Sequence, residues 1–276
     1  MCLLRKINNN EVQGILLDIL KALDGFCRRK SLRYFLSDGT LLGAVRHGGF
    51  IPWDDDIDVS MIDAAYDEFL SLARQNPYLD KNGRYKVLLP GEMPNFYPFA
   101  KIVDTKTIVY EKDIERKYSL GAWVDVFRLS HFASSDAEKY AKKFKRMQRL
   151  KTQNKLLVAG DFRTESYRRI SPLVTVGKSL CKAVGASPEL VSGKIQGIER
   201  SFPMDGDVLL NATWANSFDD RWPVELWADD IELKFEGAYY CAPAQYDAIL
   251  KIQYGDYMKL PPADQRIRHD FEAYWV

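Results

Sequence analysis

Four aspartates fall within five positions of "IPWDDDIDV": Asp54, Asp55, Asp56 and Asp58. Carboxylates this close raise one another's pKa unless a cation sits among them. In a strand, residues two apart share a face, about 6.5 Å from one another. Asp56 and Asp58 would then project together, with Ile57 and Val59 anchored in the core behind them. A hard cation needs that arrangement, oxygens forward on rigid backing. An EF-hand calcium loop would use Asp54, Asp56 and Asp58 as its first, third and fifth places. Its sixth should be glycine and is Val59; its twelfth should be glutamate and is Ala65, so that reading fails. The aspartyl nucleophile of phosphatases, DxDx[TV], follows a continuous apolar strand, whereas "IPWDD" precedes this one. The DxD of nucleotide-sugar glycosyltransferases, which binds a metal and a diphosphate, stays open. An acidic turn capping a helix that starts near Asp63 would need one aspartate, not four.

A third carboxylate is available in "GAWVDVF". Asp125 lies between Val124 and Val126, where a lone buried carboxylate is costly. A metal would resolve that cost, and so would an arginine. Upstream, "SDGT" falls at a strand-to-helix junction. Gly39 would let the backbone approach a ligand, and Thr40 adds a hydroxyl where N–H groups and the helix dipole favour phosphate. Asp38 is an awkward neighbour for phosphate and is expected to cap the helix instead. Arg46 and His47 follow about two turns later, within reach of a phosphoryl group. Gly39 lies seventeen residues before Asp56, close enough for both to face one pocket.

The elements that position these groups read as an α/β core. "EVQGILLDILKALDGFCRRK" repeats Val12, Ile15, Leu16, Ile19, Leu20, Leu23 and Phe26 at helical spacing. "RYFLSDG" reads as a short strand and turn, "TLLGAVRH" as a short helix closed by Gly48-Gly49, "DIDVSM" as a strand and "DAAYDEFLSLARQN" as a helix. "RYKVLL", "FAKIVD" and "GAWVDVF" are three further strands. Residues 134 to about 200 read as helices with a break at Ser171-Pro172. A strand at "IELKFEG" and a helix over about 245–253 complete the pattern. The expected organisation is one domain over 1–276: a catalytic core (1–130), a basic helical section (131–205) and a mixed C-terminal section (206–276).

The 276 residues are 46% hydrophobic and 28% charged, ordinary for a globular protein. No apolar run reaches the length of a transmembrane helix, and the N-terminal stretch is too short for a secretory signal. Cys2, Cys27, Cys181 and Cys241 form no CxxC pair, which points to free thiols in a reducing, cytoplasmic setting and away from zinc. The net charge of +1 hides an asymmetry: thirteen Lys or Arg against two acids between Lys139 and Lys182. Such a block suits an anionic partner, such as a membrane surface, a phospholipid carrier or a nucleic acid, or is simply a solvated helix face. "ISPLVTVGKSLCKAVGA" adds Leu173, Val174, Val176, Leu180 and Val184 near helical spacing, a face that either packs on the core or docks elsewhere.

"DGTLLGAVRHGGFIPWDDDIDV" resembles the motif of the LicD family of phosphotransferases, which have a nucleotidyltransferase-like fold and are related to the fukutin proteins. "KIVDTKT", "GAWVDVF" and "FEGAYYCAPAQYDAILKIQYGDYMKLPP" are also similar to family blocks. Where members often read Phe-Pro-Leu-Asp, this chain has "FRLS", with Arg128 for the proline and Ser130 for the aspartate. The resemblance implies a mixed sheet with flanking helices and transfer of a substituted phosphate from a CDP-alcohol to a sugar hydroxyl of a cell-surface glycan. Phosphocholine from CDP-choline is the best-known case; glycerol phosphate and ribitol phosphate also occur. The glycan would be a teichoic acid, lipopolysaccharide or capsule, in some cases lipid-linked at the inner membrane face, and no nucleic acid is implied. Carried onto this chain, Asp56, Asp58 and Asp125 would hold Mg²⁺ or Mn²⁺, with Asp125 also a candidate base. Gly39 and Thr40 would hold the diphosphate, Lys101 would add a cation at the departing CMP, and His269 would approach the phosphates.

Overall fold

A computed structural model describes residues 4–160, 165–215, 217–266 and 271–276. In chain order the elements begin β1 (Arg5–Ile7), α1 (Asn9–Lys30), β2 (Phe35–Leu36), α2 (Asp38–His47), β3 (Asp58–Ile62) and α3 (Asp63–Gln75). Next come β4 (Tyr85–Leu88), β5 (Ala100–Asp104), β6 (Thr107–Glu111) and β7 (Trp123–Phe132). The helices α4 (Ala137–Val158), α5 (Glu165–Ala183) and α6 (Pro188–Glu199) follow. The chain closes with β8 (Val208–Leu210), β9 (Arg221–Pro223), β10 (Asp230–Phe235), β11 (Ala238–Pro243), α7 (Tyr246–Tyr254) and β12 (Phe271–Trp275).

The fold is α/β, as expected, and β7 is its spine. The main sheet runs β2-β3-β7-β5-β4, with β8 and β9 added beyond the far end of β7. β3 and β7 pair in parallel; β7 pairs antiparallel with β5 through its first residues and with β8 through its last. Alternation in "WVDVF" buries Val124 and Val126 completely on one face and leaves Trp123 and Asp125 on the other. The apolar stripe of α1 packs on the buried side. All seven of its expected core residues are buried, and a capping box starts the helix: Asn8 accepts from Glu11 N–H and Glu11 from Asn8 N–H, each at 3.0 Å.

Several expectations are corrected. β3 begins at Asp58, so Asp56 and Ile57 precede the strand; the chain between Pro52 and Ile57 must first turn out of α2. Asp38 does not cap α2. Ser37 takes the N-cap position, and Asp38 is the first helical residue, at φ 48°. Pro172 lies inside α5 and does not end it. The hydrogen bond that proline removes is outweighed by packing on α4, where a Cβ on Gly177 would stand 3.1 Å from Leu156 Cδ2. The strand expected at "IELKFEG" is present as β10, and β11, which was not expected, returns against it through Glu236 and Gly237. β1, β6 and β12 form a separate three-stranded sheet with β12 in the middle.

A second core joins α4 and α6 to the end of β7, through Phe132, Phe144, Met147, Val191 and Ile195. Arg128, the departure from the family pattern, is 4% exposed and ion-pairs with Asp67 on α3 at 2.5 Å. No helix among the described residues is long and apolar enough to cross a membrane.

Candidate active site

Three neighbouring strands set three charged residues abreast. Asp58 on β3 is opposite Asp125 on β7, and Asp125 is opposite Lys101 on β5. Residues in register on adjacent strands, about 4.8 Å apart, share a face. The Asp58 backbone is held on both sides: its N–H donates to Thr40 Oγ1 at 2.8 Å, and its carbonyl accepts from Ser37 N–H at 3.1 Å. The Asp125 N–H donates to the Ile57 carbonyl at 3.0 Å. The glycine turn and the aspartates are thus one hydrogen-bonded unit, as their closeness in sequence suggested. Thr40 itself is buried and its hydroxyl is occupied by this structural bond, while Gly39 lines the cavity. A Cβ at Gly39 would stand 2.8 Å from Asp54 Oδ2, and one at Gly43 would stand 2.5 Å from the Gly49 carbonyl. The motif's glycines let α2 and the aspartate loop close on each other.

Asp38, Asp54, Asp56 and Asp58 line one cavity of about 500 Å³, closed opposite by Trp214, Gln253 and Tyr254. Gln253 on α7 donates to Asp38 Oδ1 at 2.6 Å. Gly39, Asp54 and Tyr254 also line an adjoining cavity of about 550 Å³, where Arg46, Trp53 and Lys259 stand. Arg46 donates to the Tyr257 carbonyl at 2.7 Å, and His47 stands edge-on to Trp53 at 6.4 Å. His269 lies outside the described residues.

Asp125 faces a third, narrower cavity of about 80 Å³, together with Asp56, Lys101 and Glu111. Lys101 is 1% exposed; its ammonium donates to Asp125 Oδ1 at 2.6 Å and lies 4.1 Å from the Tyr97 ring centre and 4.3 Å from that of Trp123. Phe271 of β12 and Trp214 complete the aromatic walls, and Tyr97 donates its hydroxyl proton to Glu111 Oε2 at 2.6 Å. Trp123 was within reach of the sequence, being two residues from Asp125 on the same strand. Tyr97, Trp214 and Phe271 arrive from distant segments and left no local signal.

Burial, then the charges of Asp56, Asp38, Asp125 and Asp54, pushes the Asp58 carboxyl well above the ordinary range. Burial also raises Asp125, to about 6, against the opposing pull of Lys101. Asp38 is raised mainly by burial. A divalent cation fits this set by charge and by oxygen chemistry. No three His, Cys, Asp or Glu side chains among the described residues are already gathered at single-ion spacing, so an ion would have to draw them together.

An α/β fold that presents paired carboxylates beside a glycine turn, above a diphosphate-sized cavity, defines a nucleotidyltransferase-like protein. Residues 31–126, which hold the turn and all the aspartates discussed, match the family model described as LicD/FKTN/FKRP, nucleotidyltransferase domain. Over those residues the chain is similar to the LicD family. It is 29% identical, over 98% of its own length and 99% of the other's, to the lipopolysaccharide cholinephosphotransferase LicD of Haemophilus influenzae. It is also 32% identical to the ribitol 5-phosphate transferase FKRP of Homo sapiens, over 33% of this chain and 14% of that protein. Both of these relatives are named as phosphotransferases.

Proposed function

We propose that this protein transfers phosphocholine from CDP-choline to a sugar hydroxyl of a surface glycan. The observation that carries the reading is the row Asp58, Asp125, Lys101, set across three strands where the carboxylate and aromatic cavities meet. The acceptor oxygen attacks the phosphorus that bears choline, the bond to the bridging oxygen breaks, and CMP leaves with the electron pair. Asp125, ionised at neutral pH with its carboxyl near 6, accepts the hydroxyl proton. Lys101 holds Asp125 in place and offsets charge beside it. Asp56, Asp58 and Asp125 would hold Mg²⁺ or Mn²⁺, which when bound supplies neutralisation of the diphosphate and the attacking oxygen. Gly39 brings the helix N-terminus close to the diphosphate, and Arg46 lines the adjoining cavity that suits the CMP half. Choline is favoured over glycerol or ribitol by the third cavity. Tyr97, Trp123 and Phe271 offer aromatic walls, and Glu111 a carboxylate, to a quaternary ammonium. CMP release should be measured with Mg²⁺ across CDP-choline, CDP-glycerol, CDP-ribitol and a UDP-sugar. Fastest turnover of CDP-choline is expected, abolished by EDTA. Turnover of the UDP-sugar alone would replace this reading with glycosyl transfer.

The glycan is proposed to be presented on a lipid carrier at the inner membrane face. Leu173, Val176, Leu180 and Val184 of the α5 segment and its C-terminal turn are 59–81% exposed along one helical stripe, which supports peripheral contact with an anionic membrane.

A further inference from the structure

Tyr97, Phe99 and Trp214 each wall two cavities: the aromatic one beside Asp125 and a second one of about 150 Å³. The opposite wall of the second cavity is α4, which brings Lys151, Asn154 and Lys155 to it. Residues three and four apart lie on one helical face. Asn154 is 4% exposed, and its amide donates to the Phe96 carbonyl at 2.7 Å and to Ser192 Oγ at 3.1 Å. Ser192 Oγ also donates to the Phe96 carbonyl at 2.6 Å, so the wall is fixed. Neither lysine forms an ion pair among the described residues. Burial, then the neighbouring Lys155 ammonium, lowers the Lys151 amine to about 8. Two like charges one turn apart, one of them largely desolvated, destabilise the free protein. An anion in the cavity would reverse both effects. The remaining lining is mainly aromatic and apolar, with Pro98, Ile195 and Thr213 beside the rings, which suits the apolar face of a sugar ring.

We infer that this cavity is an acceptor subsite for an anionic sugar residue, its phosphate or carboxylate on Lys151 and Lys155 and its ring against Tyr97 and Trp214. The acceptor assignment rests on the phosphotransferase reading above, because the shared aromatic wall puts the sugar next to Asp125. The basic helix α4 thus contributes to recognition inside the molecule as well as on its surface.

Calorimetric titration in EDTA tests the subsite without any turnover. The probes are glucose 6-phosphate, glucose, inorganic phosphate and phosphatidylglycerol vesicles, against wild type, Lys151→Gln and Lys151→Arg. Wild type should bind glucose 6-phosphate about tenfold or more tightly than glucose or phosphate, Lys151→Gln should lose about tenfold, and Lys151→Arg should recover most of it. NMR of ¹³C-methylated lysines should show the Lys151 titration move up when glucose 6-phosphate is added. Lys151→Gln removes a poorly placed charge and should fold normally. Equal binding by Lys151→Gln overturns the subsite. Inorganic phosphate or vesicles binding as well as the sugar phosphate overturns its assignment to a glycan. If no CDP-alcohol releases CMP but glucose 6-phosphate binding still depends on Lys151, the reaction reading fails and the anionic-sugar site stands.

Discussion

Asp58 carries the sharpest residue-scale prediction. Its carboxyl is buried among like charges, so Asp58→Asn removes a repulsion while keeping the shape. CMP release should fall by on the order of a thousandfold, the range seen when a preorganised electrostatic group is deleted. The metal-free melting temperature should hold or rise; near-normal turnover would sink the assignment. Glu199 tests the same physics away from the site. It is 4% exposed, and burial, opposed by Arg128, raises its carboxyl to about 8. The folded protein therefore keeps a proton that the unfolded chain releases above about 4.5. Folding is favoured below that pH, and the advantage is lost as pH rises to about 8. The melting temperature should fall across that window, and Glu199→Gln should flatten the fall; an unchanged slope would refute it. Asp58 was legible from its spacing alone. Glu199 was not, because a glutamate in a segment read only as helical gives no sign of burial until α6 packs into the second core.

At the scale of elements, the amphipathic helix was legible as a pattern but not as a place. Residues Leu173 to Val184 announce an apolar face, and only the packed structure leaves four of them in solvent. Leu173, Val176 and Leu180 changed together to Ser should abolish sedimentation with anionic vesicles while leaving CMP release from a soluble acceptor intact. Equal sedimentation would assign docking elsewhere. Lysines of α4 are poorer test sites, since Lys143 already donates to the Ser201 carbonyl and hydroxyl at 2.8 Å and Lys142 pairs with Glu138 at 2.8 Å. The long α1 was readable from its helical periodicity, α2 from its Gly48 cap, and the strands β3, β4, β5 and β7 from short runs rich in apolar residues, β5 being buried on both faces. The short strands β1, β8, β9 and β12 were not. They lack a bounded apolar run of their own, and their pairing is decided by partners far away in the chain.

Across the whole molecule, the site is assembled from segments that neighbour one another only after folding. Phe271 shows this: it begins a strand that lies between β1 and β6, yet it walls the cavity at Asp125. Phe271→Ala should raise KM for CDP-choline several-fold and change that for CDP-glycerol little, since only the former offers a cation to the ring; equal effects on both donors would count against the aromatic subsite. The central position of β12 also has a dynamic consequence. Among the described residues β1 pairs with β12 alone, with Arg5 opposite Trp275 and Ile7 opposite Ala273. Its paired amides exchange when the β1–β12 pairing opens, and a more firmly held β12 makes that opening rarer. A donor that settles against Phe271 should slow deuterium uptake at residues 5–7, making the first strand a remote reporter on whether the last one is engaged.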